Sequence, residues 1–235
     1  MQRLVLFDID GTLLYTGGCG RAATRLALMD VFGTVGKVDK VNFAGKTDWQ
    51  IILEALEGEE AISREQVAAL IKLYDETVAQ RLGSIIHQFP IRACEGAVEV
   101  VNTLAQNPDV VVGLVTGNMA SLVPVKLRAA GFDPADFKVG AFGSEGWERP
   151  MLPPLALERA KAYAGVDFAP DQVVIIGDTP GDVACAASIQ ARTIAVATGP
   201  YTVEQLTACQ PDHVFPSMAD QGQVLAAILR NGHLD

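Results

Sequence analysis

Two pairs of carboxylates stand out in this 235-residue chain by type and spacing. Asp8 and Asp10 close an apolar run, Leu4-Val5-Leu6-Phe7, with Ile9 between them and Gly11 next. The run is β-branched and aromatic enough to predict a buried strand. Alternate residues of a strand share a face, so both acids set out in the same direction. A turn at Asp10-Gly11 then lets the second swing beside the first. Asp178 and Asp182, in the stretch GDTPGD, follow another apolar run, residues 173–176. A helical turn opening at Pro180, a favoured first-turn residue, brings these two acids to one side of their loop. Each pair alone also reads as plain structure, since Asp and Gly are common where strands end and acids favour helix starts. Four carboxylates around one pocket would repel badly without a cation, and unpaired buried charge is expensive. An oxygen-only donor set suits Mg²⁺ and not zinc.

The elements that must position these groups can be read from hydrophobic period. Residues 15–20, YTGGCG, form a glycine-rich loop, and helical spacing begins at Arg21 with Ala22, Ala23, Leu26, Ala27, Leu28 and Val31. Residues 49–56 repeat the pattern. Ser63 then opens a helix with Gln66 three residues on, a capping-box pair, followed by Val67, Leu70, Ile71, Tyr74 and Val78 at a 3.6 period. No strand is expected between residues 15 and 92.

From Ala93 helix and strand alternate. Helices are expected over 96–106, 121–130 (closed by Gly131), 154–164 and 218–229, with one more after Asp178. The strands expected between them are 110–115 (ending on Thr116-Gly117-Asn118), 139–142, 173–176, 193–197 and 214–215. Strands buried on both faces and separated by helices predict an α/β fold, a doubly wound parallel sheet with sites at the carboxyl ends of the strands. Residues 1–14 and 93–235 form that core, and 15–92 an inserted all-helical domain.

Composition narrows the function classes. The net charge of -10 argues against a nucleic-acid binder, which needs a basic face, but not against a phosphorylated substrate met by a cation and a few aimed donors. Four scattered cysteines, without a C-x-x-C pair, suit free thiols in a reducing compartment. No leader peptide and no apolar run near the roughly 18 residues of a membrane span is seen, so a cytoplasmic protein is expected.

The stretch DIDGTLL after an apolar strand resembles the first motif of the haloacid dehalogenase superfamily, D-x-D-G-T-L. A hydrophobic strand ending in T-G-N, and then VVIIGDT-x-x-D, follow in that family's order and spacing. The helical insert matches a C1-type cap in position, as in the members similar to phosphoglycolate phosphatase and β-phosphoglucomutase. The resemblance implies a Mg²⁺-dependent phosphatase of a small phosphorylated metabolite. Asp8 is then the nucleophile that forms an aspartyl-phosphate, and Asp10 the general acid and later base. Thr116 donates to a phosphoryl oxygen, assisted by the amides of Gly117 and Asn118. Asp8, Asp178 and Asp182 hold the metal together with the main-chain carbonyl of Asp10, with Asp182 acting directly or through water. The family's third motif is usually a Lys before Pro, where this chain offers Arg149-Pro150; the role goes to Arg149, with Lys161 as rival, although Arg and Lys are not interchangeable at such sites.

Other features carry two readings each. Gly45-Lys46-Thr47 lacks the earlier glycine of a phosphate-binding loop, since that position is Lys40. Residues 44–48 instead resemble the cap's substrate-facing loop, so Lys46 is either a contact to the leaving group or an exposed lysine. Residues 17–20 are a hinge between core and cap or merely a loop. His87, His213 and His233 form no ligand pattern. Within the same fold the alternatives are a phosphoglucomutase-like phosphotransferase, a haloacid dehalogenase (for which a second Asp at position 10 has no use) and a catalytically silent binding module. The motifs see only phosphate, so neither the substrate nor the oligomeric state follows from them.

Overall fold

The first apolar run becomes a strand buried along its whole length, and the sheet is built outward from it. The computed structural model describes residues 2–59 and 62–230; His233 lies outside the described residues. Along the chain come β1 (Arg3–Phe7), β2 (Leu14–Tyr15), α1 (Cys19–Phe32), α2 (Asp48–Ala55), α3 (Arg64–Ile85), β3 (Arg92–Ala93), α4 (Ala97–Ala105), β4 (Val110–Thr116), α5 (Leu122–Ala129) and β5 (Val139–Phe142). They are followed by α6 (Leu152–Ala164), β6 (Val173–Gly177), α7 (Pro180–Ala186), β7 (Arg192–Val196), α8 (Val203–Thr207), β8 (His213–Phe215) and α9 (Gln221–Leu229).

Six strands form one parallel sheet in the order β5-β4-β1-β6-β7-β8. β1 lies between β4 and β6, with Phe7 opposite both Leu114 and Ile176. It marks the place where successive strands stop adding on one side and begin adding on the other. In an open α/β sheet that switch leaves a crevice at the carboxyl ends.

The two-residue strand period decides what each face buries. Val5 and Phe7, with Val112, Leu114, Val174 and Ile176, pack toward α4, α5 and α9 through Leu104, Leu127 and Ile228. Leu4 and Leu6, with Val111, Val115, Val173 and Ile175, face α6 and α7 through Leu152, Ala156, Ala160 and Cys185. Burying each large side chain contributes about 1.5–3 kcal/mol, so the double coverage accounts for the unbroken apolar runs. Asp8 continues the parity of Leu4 and Leu6, whose side of the sheet is covered by α6 and α7.

A third apolar cluster joins α1, α2 and α3 through Ala27, Leu28, Ile52, Tyr74 and Val78, and takes in Met119 and Leu122 from beyond β4. α3 starts as its sequence predicts: Ser63 Oγ accepts from the Gln66 N–H and Gln66 Oε1 from the Ser63 N–H.

The structure corrects several expectations. β2 and β3 pair antiparallel, so the chain enters and leaves the helical segment through a short ribbon where no strand was expected; the Arg92 guanidinium lies over the Tyr15 ring, 4.8 Å from its centroid. Two residues are too few to show a period. α1 starts at Cys19, so Cys19 and Gly20 of the glycine-rich stretch are helical, with left-handed Gly18 at the N-cap. α6 starts at Leu152, because Pro153 and Pro154 fit a first turn that has no use for their missing N–H groups. α8, absent from the sequence reading, is set by a capping box of Thr202 and Gln205.

Candidate active site

The chain beyond β1 turns tightly. Asp8 still donates its N–H to the Ile176 carbonyl (2.9 Å), and then the Ile9 carbonyl accepts from Thr12, Leu13 and Leu14. Gly11 sits at the bend with φ +85, and a Cβ there would overlap the Asp178 carboxylate, so a side chain is excluded on both counts. Thr12 Oγ1 donates to Asp178 Oδ1 (3.0 Å), linking the first motif to the last.

β6 delivers Asp178, and α7 starts at Pro180. Thr179 caps this helix; its N–H donates to Asp182 Oδ2 (2.9 Å) and its hydroxyl to the same oxygen (2.7 Å). The other oxygen, Asp182 Oδ1, is ion-paired with Arg149 Nη2, and that same nitrogen lies 3.1 Å from Asp8 Oδ1. Arg149 is thus the buried bridge between two aspartates, only 5% exposed. Lys161, its rival in the sequence, pairs with Asp167 at the surface.

Asp8, Asp178 and Asp182 each offer an oxygen within 4.8 Å of the others, and all three are buried. One guanidinium against three carboxylates leaves excess negative charge in a low-dielectric place. Burial pushes Asp8 up to about 6, against the pull of Arg149 and with the help of Asp182 and Asp10. Burial also raises Asp178 well above the ordinary carboxylate range, and Asp182 and Asp8 add to it. An all-oxygen cluster short of positive charge fits a hard divalent cation such as Mg²⁺.

Past the turn Asp10 faces the other way, toward α5. Its carboxylate accepts from Lys126 Nζ (2.7 and 3.0 Å) and from Asn118 Nδ2 (2.7 Å). Asn118 Nδ2 also donates to Thr116 Oγ1 (2.8 Å) at the end of β4. The helical segment closes the site from above. The Asp48 N–H donates to the Gly117 carbonyl (2.7 Å), the Met119 N–H donates to Asp48 Oδ2 (2.7 Å), and Thr47 Oγ1 donates to the Trp147 carbonyl (3.0 Å). Lys46 is ion-paired with Glu54. Burial pushes Asp48 up to about 6, opposed by the Lys126 ammonium and the Met119 N–H.

These groups enclose a cavity of about 410 Å³. Asp8, Asp10, Lys46, Thr116, Gly117, Asn118, Arg149 and Asp178 line it; Asp182 does not, and meets Arg149 and Thr179 instead. His87 and His213 lie elsewhere. Sequence reasoning passed over Lys126, Asp48 and Thr12. Lys126 had a signal: Leu122, Val123, Lys126 and Leu127 share one buried helix face, and a lysine on such a face needs a partner. Asp48 and Thr12 meet their partners only through tertiary contacts.

The switch-point crevice, the convergent strand ends and the perturbed carboxylates define an α/β enzyme working at the carboxyl edge of its sheet. The chain belongs to the haloacid dehalogenase-like hydrolase family, whose sequence model matches residues 5–187. Among its relatives, a phosphoglycolate phosphatase of Vibrio vulnificus strain YJ016 is 25% identical over 232 residues, covering 97% of this chain and 96% of the relative. In fold it is similar to a variant of CbbY from Rhodobacter sphaeroides, solved in complex with xylulose-(1,5)bisphosphate (TM-score 0.71, 20% identity, 94% of this chain and 97% of the other). A hydrolase from Pseudomonas syringae is also similar (TM-score 0.66, 22% identity, 97% and 99%). No described helix is long and apolar enough to cross a membrane.

Proposed function

We propose that the protein is a Mg²⁺-dependent phosphatase of a small phosphorylated metabolite, acting in the cytoplasm through a phosphorylated Asp8. The observation that carries this reading is the division of labour between two aspartates two residues apart. Asp8 is buried on Arg149 and beside two further acids, whereas Asp10 is turned to Lys126 and Asn118 with its side chain 38% exposed. Environments that separate neighbouring carboxylates also separate their tasks. Free thiols at all four cysteines accord with a reducing compartment.

In the first displacement an Asp8 oxygen attacks phosphorus, the bond to the leaving oxygen breaks, and Asp10 hands that oxygen a proton. In the second, Asp10 takes a proton from water, the water oxygen attacks phosphorus, and the Asp8–phosphorus bond breaks to restore the carboxylate. Thr116 Oγ1 accepts from Asn118, which leaves its own proton to donate to a phosphoryl oxygen. Arg149 holds Asp8 in line and supplies positive charge. Mg²⁺ would be held by Asp8, Asp178 and the Asp10 carbonyl, with Asp182 acting directly or through water, and would supply charge neutralisation for the transferring phosphoryl group. Residues 15–92 act as a cap that sets the leaving-group space, with Lys46 on its wall. A cavity of about 410 Å³ suits a small metabolite. The relatives' phosphoglycolate and xylulose bisphosphate are the compounds to screen first.

The decisive assay is hydrolysis of 4-nitrophenyl phosphate by wild type and Asp8→Asn, with Mg²⁺ and with EDTA. Turnover should need both the metal and Asp8; activity in the folded Asp8→Asn protein would rule out the covalent route.

A further inference from the structure

Lys126 has a role that neither the motifs nor packing require. It lies on the apolar face of α5 and is only 3% exposed, where a Leu or Met would bury as well without an ammonium to desolvate. Its three donor protons meet three acceptors: Asp10 Oδ1 at 3.0 Å, Asp10 Oδ2 at 2.7 Å and Asn118 Oδ1 at 2.5 Å. Asn118 completes the frame, because its Nδ2 holds Asp10 Oδ2 and Thr116 Oγ1 together. The first turn of α1 closes over the ammonium, and even a Cβ on Gly20 would lie 3.5 Å from Nζ. The other acid in its field, Asp48, belongs to the helical segment.

We infer that Lys126 is the positioning residue for Asp10: through contacts to both oxygens it fixes the side chain in the orientation from which the protonated acid gives its proton to the leaving oxygen and the resulting carboxylate then takes one from water. This rests on the phosphatase reading above. Asp10 follows a turn and is partly open to the cavity, so its side chain would otherwise sample several rotamers. Lys126 and Asn118 hold one of them before substrate arrives, and such preorganisation is what proton transfer in a short-lived transition state demands. Lys126 acts through Asp10 and need not touch the substrate.

The test is the dependence of kcat/KM on leaving-group basicity, measured with phenyl, 4-nitrophenyl and 2,4-dinitrophenyl phosphate in Mg²⁺. A dinitrophenolate departs without a proton, whereas a phenolate needs one. In Lys126→Met, phenyl phosphate should lose about 100-fold and dinitrophenyl phosphate no more than about 3-fold, the range of a lost general acid. Lys126→Gln, which keeps hydrogen bonding without the charge, should steepen the series in the same sense. Added to Asp10→Asn, neither change should steepen it further. An equal loss on all three substrates means a merely structural lysine and overturns the proposal. If neither variant folds, a crystal structure of wild type with Mg²⁺ and beryllium trifluoride on Asp8 decides: Asp10 still bonded to Lys126 supports the role, and Asp10 turned elsewhere overturns it. Absence of Mg²⁺-dependent wild-type turnover on every substrate is a different failure, that of the phosphatase reading itself.

Discussion

The resemblance assigns Arg149 the place of a third-motif lysine, and the geometry says what that exchange would mean. Its contacts to Asp8 and Asp182 both run through Nη2, and Nε is buried with no partner among the described residues. The guanidinium therefore serves these two aspartates as a single charged nitrogen rather than as a planar fork. Arg149→Ala should cost kcat at least about 100-fold, the scale of a lost electrostatic donor. Arg149→Lys should recover most of that loss, within about tenfold of wild type. Steady-state kinetics on an aryl phosphate checks both, and a lysine variant as slow as alanine would show that the fork is needed. Single residues were legible in the sequence where a motif fixed their surroundings: Asp8, Asp10 and Asp178 stand at strand ends whose convergence follows from a parallel sheet. Arg149 was legible as a departure from the usual lysine, but its second partner, Asp182, was not. Lys126 was lost among helical residues because its partners lie 8 and 116 positions away.

Secondary structure and the loops between elements were legible to different degrees. β1, β4 and β6 announced themselves as continuous apolar runs because both sheet faces are covered, and α3 by its cap and period. β2, β3 and α8 were not visible, being too short for any period to accumulate. The seam between the β4 and β5 ends and the helical segment was equally hidden, since glycine shows nothing of what approaches it. Gly143 donates its N–H to the Asn118 carbonyl (2.7 Å), and a Cβ there would overlap the Gly117 carbonyl, which itself receives the Asp48 N–H. Gly143→Ala should destabilise the fold by about 1–3 kcal/mol through overpacking and raise KM by loosening the loop that bears Asp48 from the strand end. A thermal midpoint and a KM both equal to wild type would mean that this junction has room to spare.

The whole molecule carries its active-site charge as a dependence of stability on pH. Asp8 and Asp48 are pushed up to about 6 in the folded chain, by burial first, whereas an unfolded Asp titrates at about 3.9. Between those values the folded state holds more protons than the unfolded one, so stability falls as pH rises through the window and stays reduced above it. For Asp48 alone the difference is on the order of 3 kcal/mol. In EDTA the thermal midpoint should therefore be lower at pH 7.5 than at pH 5.5. Mg²⁺ should raise the midpoint more at pH 7.5, since its ligands must be ionised to bind it and it binds only the folded chain. A midpoint indifferent to both pH and Mg²⁺ would contradict the charge excess at the strand ends.

The paired ribbon of β2 and β3 has a mechanical consequence for the same assembly. Both crossings between the sheet and the three-helix segment run side by side, tied by backbone hydrogen bonds between Leu14–Tyr15 and Arg92–Ala93. Two strands bonded together flex as one strap: they pivot about a common axis and resist sliding or independent twist. Any movement of the loop bearing Lys46 and Asp48 away from Gly117 would then follow one arc out and the same arc back, restoring one registry between the two halves of the cavity wall.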